Sequence, residues 1–479
     1  VTSPAARAAR PELLAAIVAA LLYLIWYPPT FGIIDESTYL STAYVYRAGT
    51  IHADVAGVAS IGGVESGGHT VAKFAPLWPL VLAPFTAAGW RGAFAANLLL
   101  YLAGFVLFAR LVRGAGLPRW TALLYLAHPT LLVYARTLMS DVAAGVPVLA
   151  AWLLWRRGGR GAAAGAGFLL GVSVLVRYTN VILVVLFVIA AGVDAARHAA
   201  GARRRIGPLL LGGTPPAIVL AVYDQIAFGT WWRGSAGYRD DRAGIGMSGQ
   251  FGWQVLGSGL EHYVTALLVV LPLLLLGVLL YRGRDRVMLR IVTLGFTLFF
   301  CFYYYRDRGE GFLATAVVGQ RFLIPVLPLY LLAYAEVLDR AVRAARVPGR
   351  WVGAGVAAAA LAVTVAVHVR HDAALRAVDA RRRALYAATE DGAVVLCDTE
   401  ARKLLHDVWG ARTPVRVEFR GRWEIPAPAA SGAGAPVFLA LGDDGEPPPE
   451  LKEMLATRRA VPVPVSAPDL RVWSLPGPG

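Results

Sequence analysis

The sequence predicts a polytopic α-helical membrane protein with about eleven transmembrane helices, further helices on the outer surface and a small C-terminal α/β domain outside the membrane. Three observations predict it. Of 479 residues, 57% are hydrophobic and 16% charged, where an ordinary soluble domain carries about 25% charged side chains. Apolar runs such as Leu13–Tyr27, Ala93–Leu107 and Val264–Leu280 recur along the chain, and mean hydropathy is +0.56. The third is charge placement: 46 Lys+Arg against 31 Asp+Glu give a net +15, with arginines clustered between the runs. A water-soluble enzyme and a disordered scaffold are excluded.

A span needs about 20 apolar residues, and the runs place spans at 11–29, 92–109, 120–138, 142–155, 162–176, 180–193, 207–227, 263–281, 287–304, 322–338 and 351–369. Charge decides two choices. Pro76–Trp90, punctuated by Pro76, Pro79 and Pro84, is read as a helix on the outer surface, because counting it as a span would invert every later loop. Gly161–Val193 is read as two short helices flanking Arg177-Tyr178-Thr179-Asn180. Every inner loop is then arginine-rich, so the positive-inside rule accounts for the excess charge and nucleic acid is not expected as a partner.

The resulting topology has a cytoplasmic N-terminus and a first outer loop at 31–91. Further outer loops surround Asp141, Tyr178, 229–262 and 305–320. The first apolar run follows Arg7 and Arg10 and leads into aromatics and prolines, so it reads as a retained span and not as a cleaved signal peptide. Residues 1–371 form the transmembrane part and 372–479 the outer domain, with strands at 394–397, 436–441 and 461–465, a helix at 400–409 and a loop at 446–449. Cys301 and Cys397 match no metal spacing and no disulfide framework. His368 and His371, a turn apart beside Asp372, read as a solvated helix end.

Chemistry is expected on the outer face. Asp35-Glu36 directly follows the first span; a carboxylate desolvated on one side gains proton affinity and becomes a competent general base for a hydroxyl. The alternative is an ordinary interfacial acid pair. His69 and Lys73 lie ahead of the proline-broken segment; the lysine either meets a phosphate or snorkels to the interface. Arg136 and Asp141, at the outer end of the third span, are spaced to pair and line a cavity. Arg177 follows a helix of about 15 residues, hence about 22 Å, short enough to hold it below the outer water boundary. Arg321 opens a later span from the same side, and Lys73, Arg177 and Arg321 together are suited to a phosphate leaving group. Asp35 with Asp141 is the carboxylate pair placed to hold a divalent cation such as magnesium or manganese; the sequence does not assign one.

These features resemble the glycosyltransferase C superfamily, near the protein O-mannosyltransferases and the bacterial aminoarabinose transferases of lipid A. The resemblance rests on the Asp-Glu pair, Lys73-Phe74-Ala75-Pro76-Leu77-Trp78-Pro79 and Arg136…Asp141. It extends through Val176-Arg177-Tyr178-Thr179-Asn180, Phe228-Gly229-Thr230 with Gly237-Tyr238, and Arg321-Phe322-Leu323-Ile324-Pro325, over residues 11–340. It implies a polyprenyl-phosphate sugar donor reached from the membrane, an acceptor hydroxyl on protein, lipid or polysaccharide, and inversion at the sugar. Asp35 is then the base and Glu36 its positioning partner. Lys73, Arg177 and Arg321 hold the phosphate, while Tyr39, Tyr178, Asn180, Tyr238 and Arg239 line the cavity. The Lys73 segment lacks the family's doubled proline, and the tail is not the β-trefoil of the eukaryotic enzymes. The localisation implied is a bacterial-type plasma membrane. The competing reading is a secondary transporter or a flippase of lipid-linked glycans, which predicts midplane ionisable residues and inverted repeats; neither pattern is visible.

Overall fold

The computed structural model describes residues 10–52, 63–66, 69–197, 200–231, 251–271, 274–303, 312–406, 409, 412–416, 418–419, 422–423, 435–442, 447 and 449–475. It is mostly helical. Four helices among the described residues are long and apolar enough to cross a membrane alone, and two bent pairs bring the number to six. Several other expected spans are shorter apolar helices, among them Pro11–Ile25 and Arg160–Val176. Leu13, Leu14, Leu21 and Ile25 of the first helix, Arg10–Ile25, are more than half exposed. Such a face has no solvent but lipid. The opposite side holds buried Tyr23, whose hydroxyl donates to the carbonyls of Phe94 (3.1 Å) and Ala135 (3.2 Å), tying three segments together at one end of the bundle.

The structure corrects several expectations, one being the span at 263–281, which bends by 89° between Trp253–Val269 and Leu274–Leu280. The span at 120–138 is not continuous: it breaks into Leu123–Ala127 and Pro129–Ala135, with His128 extended between them. Pro129 is the cause, since a proline disfavours helical backbone in the residue before it. The span expected to open at 322 is bent by 103° between Val317–Leu323 and Leu327–Ala344, where Pro325 and Pro328 interrupt the helical ladder. The helix expected at 400–409 is only Thr399–Arg402, capped by Asp398 accepting from the Ala401 N–H at 2.7 Å. Leu404 and Leu405 then turn into the core of the C-terminal sheet.

Between these lie Phe94–Gly114, Asp141–Arg157, Arg160–Val176, Val181–Arg197, Ala200–Phe228, Leu256–Val269, Leu274–Leu280 and Arg286–Cys301. The turn joining Asp141–Arg157 to Arg160–Val176 is Gly158-Gly159, both at positive φ (78° and 84°), where a side chain would be strained. Arg160–Val176 packs closely on Ala200–Phe228 because both present glycine. A Cβ on Gly167 would lie 1.8 Å from the Leu209 carbonyl oxygen, and one on Gly212 1.9 Å from that of Ala164. Small residues that let backbones approach drive helix association where lipid removes the hydrophobic force.

The outer loop contains the helix Ile34–Arg47, a hairpin of β1 (Gly63–Ser66) and β2 (His69–Ala72), and the short helix Leu77–Leu82. The last long helix, Gly349–Ala388, runs unbroken past residues 371 and 372 and leads into a five-stranded sheet. In that sheet β3 (Val394–Cys397) pairs in parallel with β4 (Thr413–Arg416) and, across a separate two-stranded ribbon of β5 (Glu418–Phe419) and β6 (Arg422–Trp423), with β7 (Val437–Leu441). β8 (Val461–Val463) and β9 (Arg471–Leu475) complete it in antiparallel pairing, giving the order β4-β3-β7-β9-β8. Val395, Cys397 and Phe438 pack against Ala384 and Leu385 of the long helix, while Leu396, Leu439 and Leu441 pack against Leu451 of the helix Pro449–Thr457. Both faces are covered, as alternation along a strand requires. The same segment docks on the outer loop: His406 Nε2 lies 2.9 Å from Ser41 Oγ, and Trp409 stacks on Phe31 at 4.8 Å.

Gly212→Val tests the close helix pair. Overpacking of this kind costs about 1–3 kcal/mol, so the variant should unfold at a clearly lower temperature in detergent; an unchanged midpoint would mean the two helices do not touch there.

Candidate active site

The helix Ile34–Arg47 begins with Ile33 as its extended cap, which puts Asp35 and Glu36 in its first turn. Glu36 is 1% exposed and turns back: Oε2 accepts from the N–H groups of Gly32 (3.0 Å) and Ile33 (2.8 Å). This is the backbone-satisfying half of a capping box. Its other oxygen, Oε1, accepts from the Leu138 N–H at 2.6 Å, across to the segment ending the broken third span. Burial pushes the Glu36 carboxyl up to about 7, with the three N–H donors opposing it. The desolvation expected of the acid pair therefore falls on Glu36, whose oxygens are occupied by backbone. Asp35 is half-buried and lies within electrostatic reach of Tyr39, Tyr303 and Arg321.

Across from Asp35 the expected cations gather. Arg177 Nη1 donates to Asp141 Oδ1 at 2.5 Å, with Asp141 fully buried, and its Nε donates to Thr179 at 3.1 Å. The helix before it ends at Val176 and Arg177 is extended, so the side chain swings across to the start of Asp141–Arg157. Both Arg177 and Arg321 lie over the ring of Phe322, at 5.4 and 4.5 Å from its centre. Phe322 is held in turn by stacking on Phe300 at 5.0 Å. Arg321 is within electrostatic reach of Asp141, Asp35, Tyr134 and Tyr303. Tyr39, one turn after Asp35, shares a 3.0 Å hydrogen bond with Ser140 and stacks on Phe74 at 4.5 Å. Burial raises the proton affinity of its phenol, with Arg177 opposing. The Lys73 ammonium lies 5.2 Å from the centre of the ring of its neighbour Phe74, which stacks on Tyr39.

The expected Arg136–Asp141 pair does not form. Asp141 belongs to Arg177, and Arg136 turns toward the long last helix, donating to the His368 carbonyl at 3.3 Å and lying 3.5 Å from Asp372. Arg136 closes a turn ahead of the chain reversal at Thr137–Ser140, so five residues of separation place the two side chains on different sides. His368 is 2% exposed and packs on Tyr23 and Trp26, so the histidine pair is not the solvated helix end expected. Asn180 is buried and donates to the Ala144 carbonyl at 3.4 Å, beside Tyr178, which is half-buried. His69 is exposed on the hairpin, 4.9 Å from His52 between ring centres. Tyr238 and Arg239 lie outside the described residues. No group of three His, Cys, Asp or Glu side chains among the described residues is arranged to hold a metal ion, and Asp141 is engaged by Arg177. No step is therefore derived through a cation.

Sequence reasoning missed Ser140, Phe74, Phe300 and Phe322. The motif Arg321-Phe322 carried a signal for one of them, since an aromatic beside an arginine at a span mouth is placed for a cation–π contact.

No protein-family model matches the chain, and no curated protein does. Solved structures do. ArnT from Cupriavidus metallidurans in the apo state superposes with a TM-score of 0.61 at 14% identity, covering 99% of this chain and all of that one. The chain has the ArnT fold. The structure of ArnT from the same organism bound to undecaprenyl phosphate superposes with a TM-score of 0.56 at 13% identity, over 98% of this chain and all of that one. ArnT is a glycosyltransferase of the C superfamily, the one that the motif order over residues 11–340 resembles. The superposition extends in sequence beyond those motifs, over nearly the whole chain.

The Glu36 carboxyl gives a pH prediction. Its folded value near 7 lies above that of a free glutamate, so the linked stability is fully present below about pH 4.5 and is lost as pH rises through 7. Infrared spectra of wild type minus Glu36→Gln should show a protonated-acid band at pH 5.5 that disappears between pH 6 and 8. A band already absent at pH 5.5 contradicts this.

Proposed function

We propose that the chain is an inverting membrane glycosyltransferase, moving a sugar from a polyprenyl-phosphate donor to an acceptor hydroxyl at the outer face of a bacterial-type plasma membrane. The observation that carries the reading is one half-buried carboxylate, Asp35, within electrostatic reach of Arg321, which shares the ring of Phe322 with Arg177. It is supported by the fold shared with a glycosyltransferase whose structure has been solved with undecaprenyl phosphate bound.

In this reading Asp35 takes the proton of the acceptor hydroxyl. The hydroxyl oxygen bonds to the anomeric carbon from the face opposite the lipid phosphate, and the carbon–oxygen bond to phosphate breaks. Polyprenyl phosphate leaves with the electron pair and is received by Arg321, Arg177 and Lys73, preorganised charges aimed where negative charge develops. Glu36 does not react: its backbone bonds hold the helix that presents Asp35. Asp141 orients Arg177, and Tyr178 and Asn180 border the donor. Residues 1–371 are the catalytic part, with the N-terminus cytoplasmic, and 372–479 an extracytoplasmic module facing the acceptor.

The test is transfer of labelled sugar from a panel of polyprenyl-phosphate sugars by purified protein, with a membrane extract as acceptor. Asp35→Asn should fold, bind donor and lose about 100-fold or more in turnover, the scale of a general base; undiminished turnover removes Asp35 from the mechanism. Arg321→Ala should raise the donor KM by about ten-fold, as loss of a charge-assisted bond does, and leave the acceptor KM within about two-fold of wild type. Equal effects on both would make the arginine structural.

A further inference from the structure

At the end of the bundle opposite Asp35, a cavity of about 500 Å³ opens between helix ends. Arg156 in its lining lies fifteen residues along the helix from Asp141, about 22 Å at 1.5 Å per residue. Four arginines converge on it from three chain segments: Arg110 from Phe94–Gly114, Arg156 and Arg157 from Asp141–Arg157, and Arg284 from the loop before Arg286–Cys301. Its lining contains no carboxylate. Arg156 is tethered, its backbone carbonyl accepting from Arg284 Nη2 at 3.0 Å and its Nε 3.5 Å from Asp285, yet its Nη1 is buried with no hydrogen-bond partner. Arg110 and Arg157 are exposed at the rim. Below them the walls are leucine, Leu111, Leu153 and Leu154 among them, and Gly114 in the lining borders open space, a Cβ there meeting nothing within 4 Å.

The positive-inside rule explains arginines in a loop, but not four of them on one leucine-walled cavity with a buried donor unspent. We propose that this cavity binds the headgroup of an anionic phospholipid, its phosphate on Arg156 and Arg284 and an acyl chain along the leucines. A free phosphate leaves the leucine walls unused, and a zwitterionic headgroup adds a cation to four already there. The adjoining cavity of about 450 Å³ shares Arg284 but has Asp194 and Asp285 in its lining, and so lacks the uniform charge. The inference is independent of the transfer chemistry at the other end.

Native mass spectrometry of the full chain, released from detergent with phosphatidylglycerol or phosphatidylcholine, tests it. Wild type should retain phosphatidylglycerol in preference. The double variant Arg110→Ala, Arg157→Ala should bind it about thirty-fold more weakly, each basic residue near a lipid surface contributing about five-fold. Gly114→Leu, which fills the mouth and keeps all four charges, should lose the same binding and serves if the double variant fails to fold. Equal retention of the two lipids by wild type, or undiminished phosphatidylglycerol binding by Gly114→Leu, overturns the proposal. Undecaprenyl phosphate binding should be the same in wild type and both variants; its loss in them would assign the cavity to that lipid instead.

Discussion

One buried carboxylate holds the outer loop to the helical bundle. Glu36 spends one oxygen on the Gly32 and Ile33 N–H groups and the other on the N–H of Leu138. A buried backbone donor left unpaired costs free energy comparable to a lost hydrogen bond, so three such donors around one carboxylate define where the Ile34–Arg47 helix must start. The position of Asp35, one residue earlier, follows from it, and so does that of Tyr39 one turn on, beside Ser140. The segment around Leu138 is itself held from behind by Trp78, whose indole donates to the Leu138 carbonyl at 2.6 Å, and by Asn97, which donates to the carbonyl of Met139 at 3.0 Å.

A second tether joins the last helix to this frame. Arg136, almost wholly buried, meets the His368 carbonyl and Asp372, and Asp372 also accepts from Arg376 at 2.6 Å. A buried ion pair is weak grounds for stability, because desolvation consumes most of the attraction, but breaking one is costly. Its consequence here is placement. The helix so held carries the C-terminal sheet, which returns through Trp409 and His406 onto Phe31 and Ser41, immediately on either side of the acid pair. The outer loop is thereby clamped from below by Leu138 and from the side by the C-terminal segment.

Much of this was legible in the sequence, and what was not has a physical cause. Apolar run length exposed the membrane character, and arginine placement sorted the two ends of the bundle. Asp35, Arg177 and Arg321 were visible because ionisable groups beside an apolar layer are costly and stand out. The partner of Arg136 was not visible: sequence spacing offered Asp141, five residues on, but the chain reverses between them and Asp372 lies 236 positions away. The breaks at Pro129 and near Pro325 were written in the prolines, yet a hydropathy average over about 20 residues smooths such breaks away. The short helix at Thr399–Arg402 ends where burial of Leu404 and Leu405 overrides local helical preference, a tertiary effect that no local pattern carries.

The charges at the outer end are balanced as ionisable groups beside an apolar layer must be, each arginine with a carboxylate in reach. Pairing Arg177 with Asp141 neutralises one cation and fixes its direction, while Arg321 lies within electrostatic reach of both Asp35 and Asp141, and the two guanidinium groups share the ring of Phe322. The two carboxylates offset the repulsion between cations drawn to one ring. Asp141 is committed to Arg177 and the Glu36 oxygens to backbone N–H groups, so the acid left at the mouth of the cluster is Asp35, within reach of Arg321.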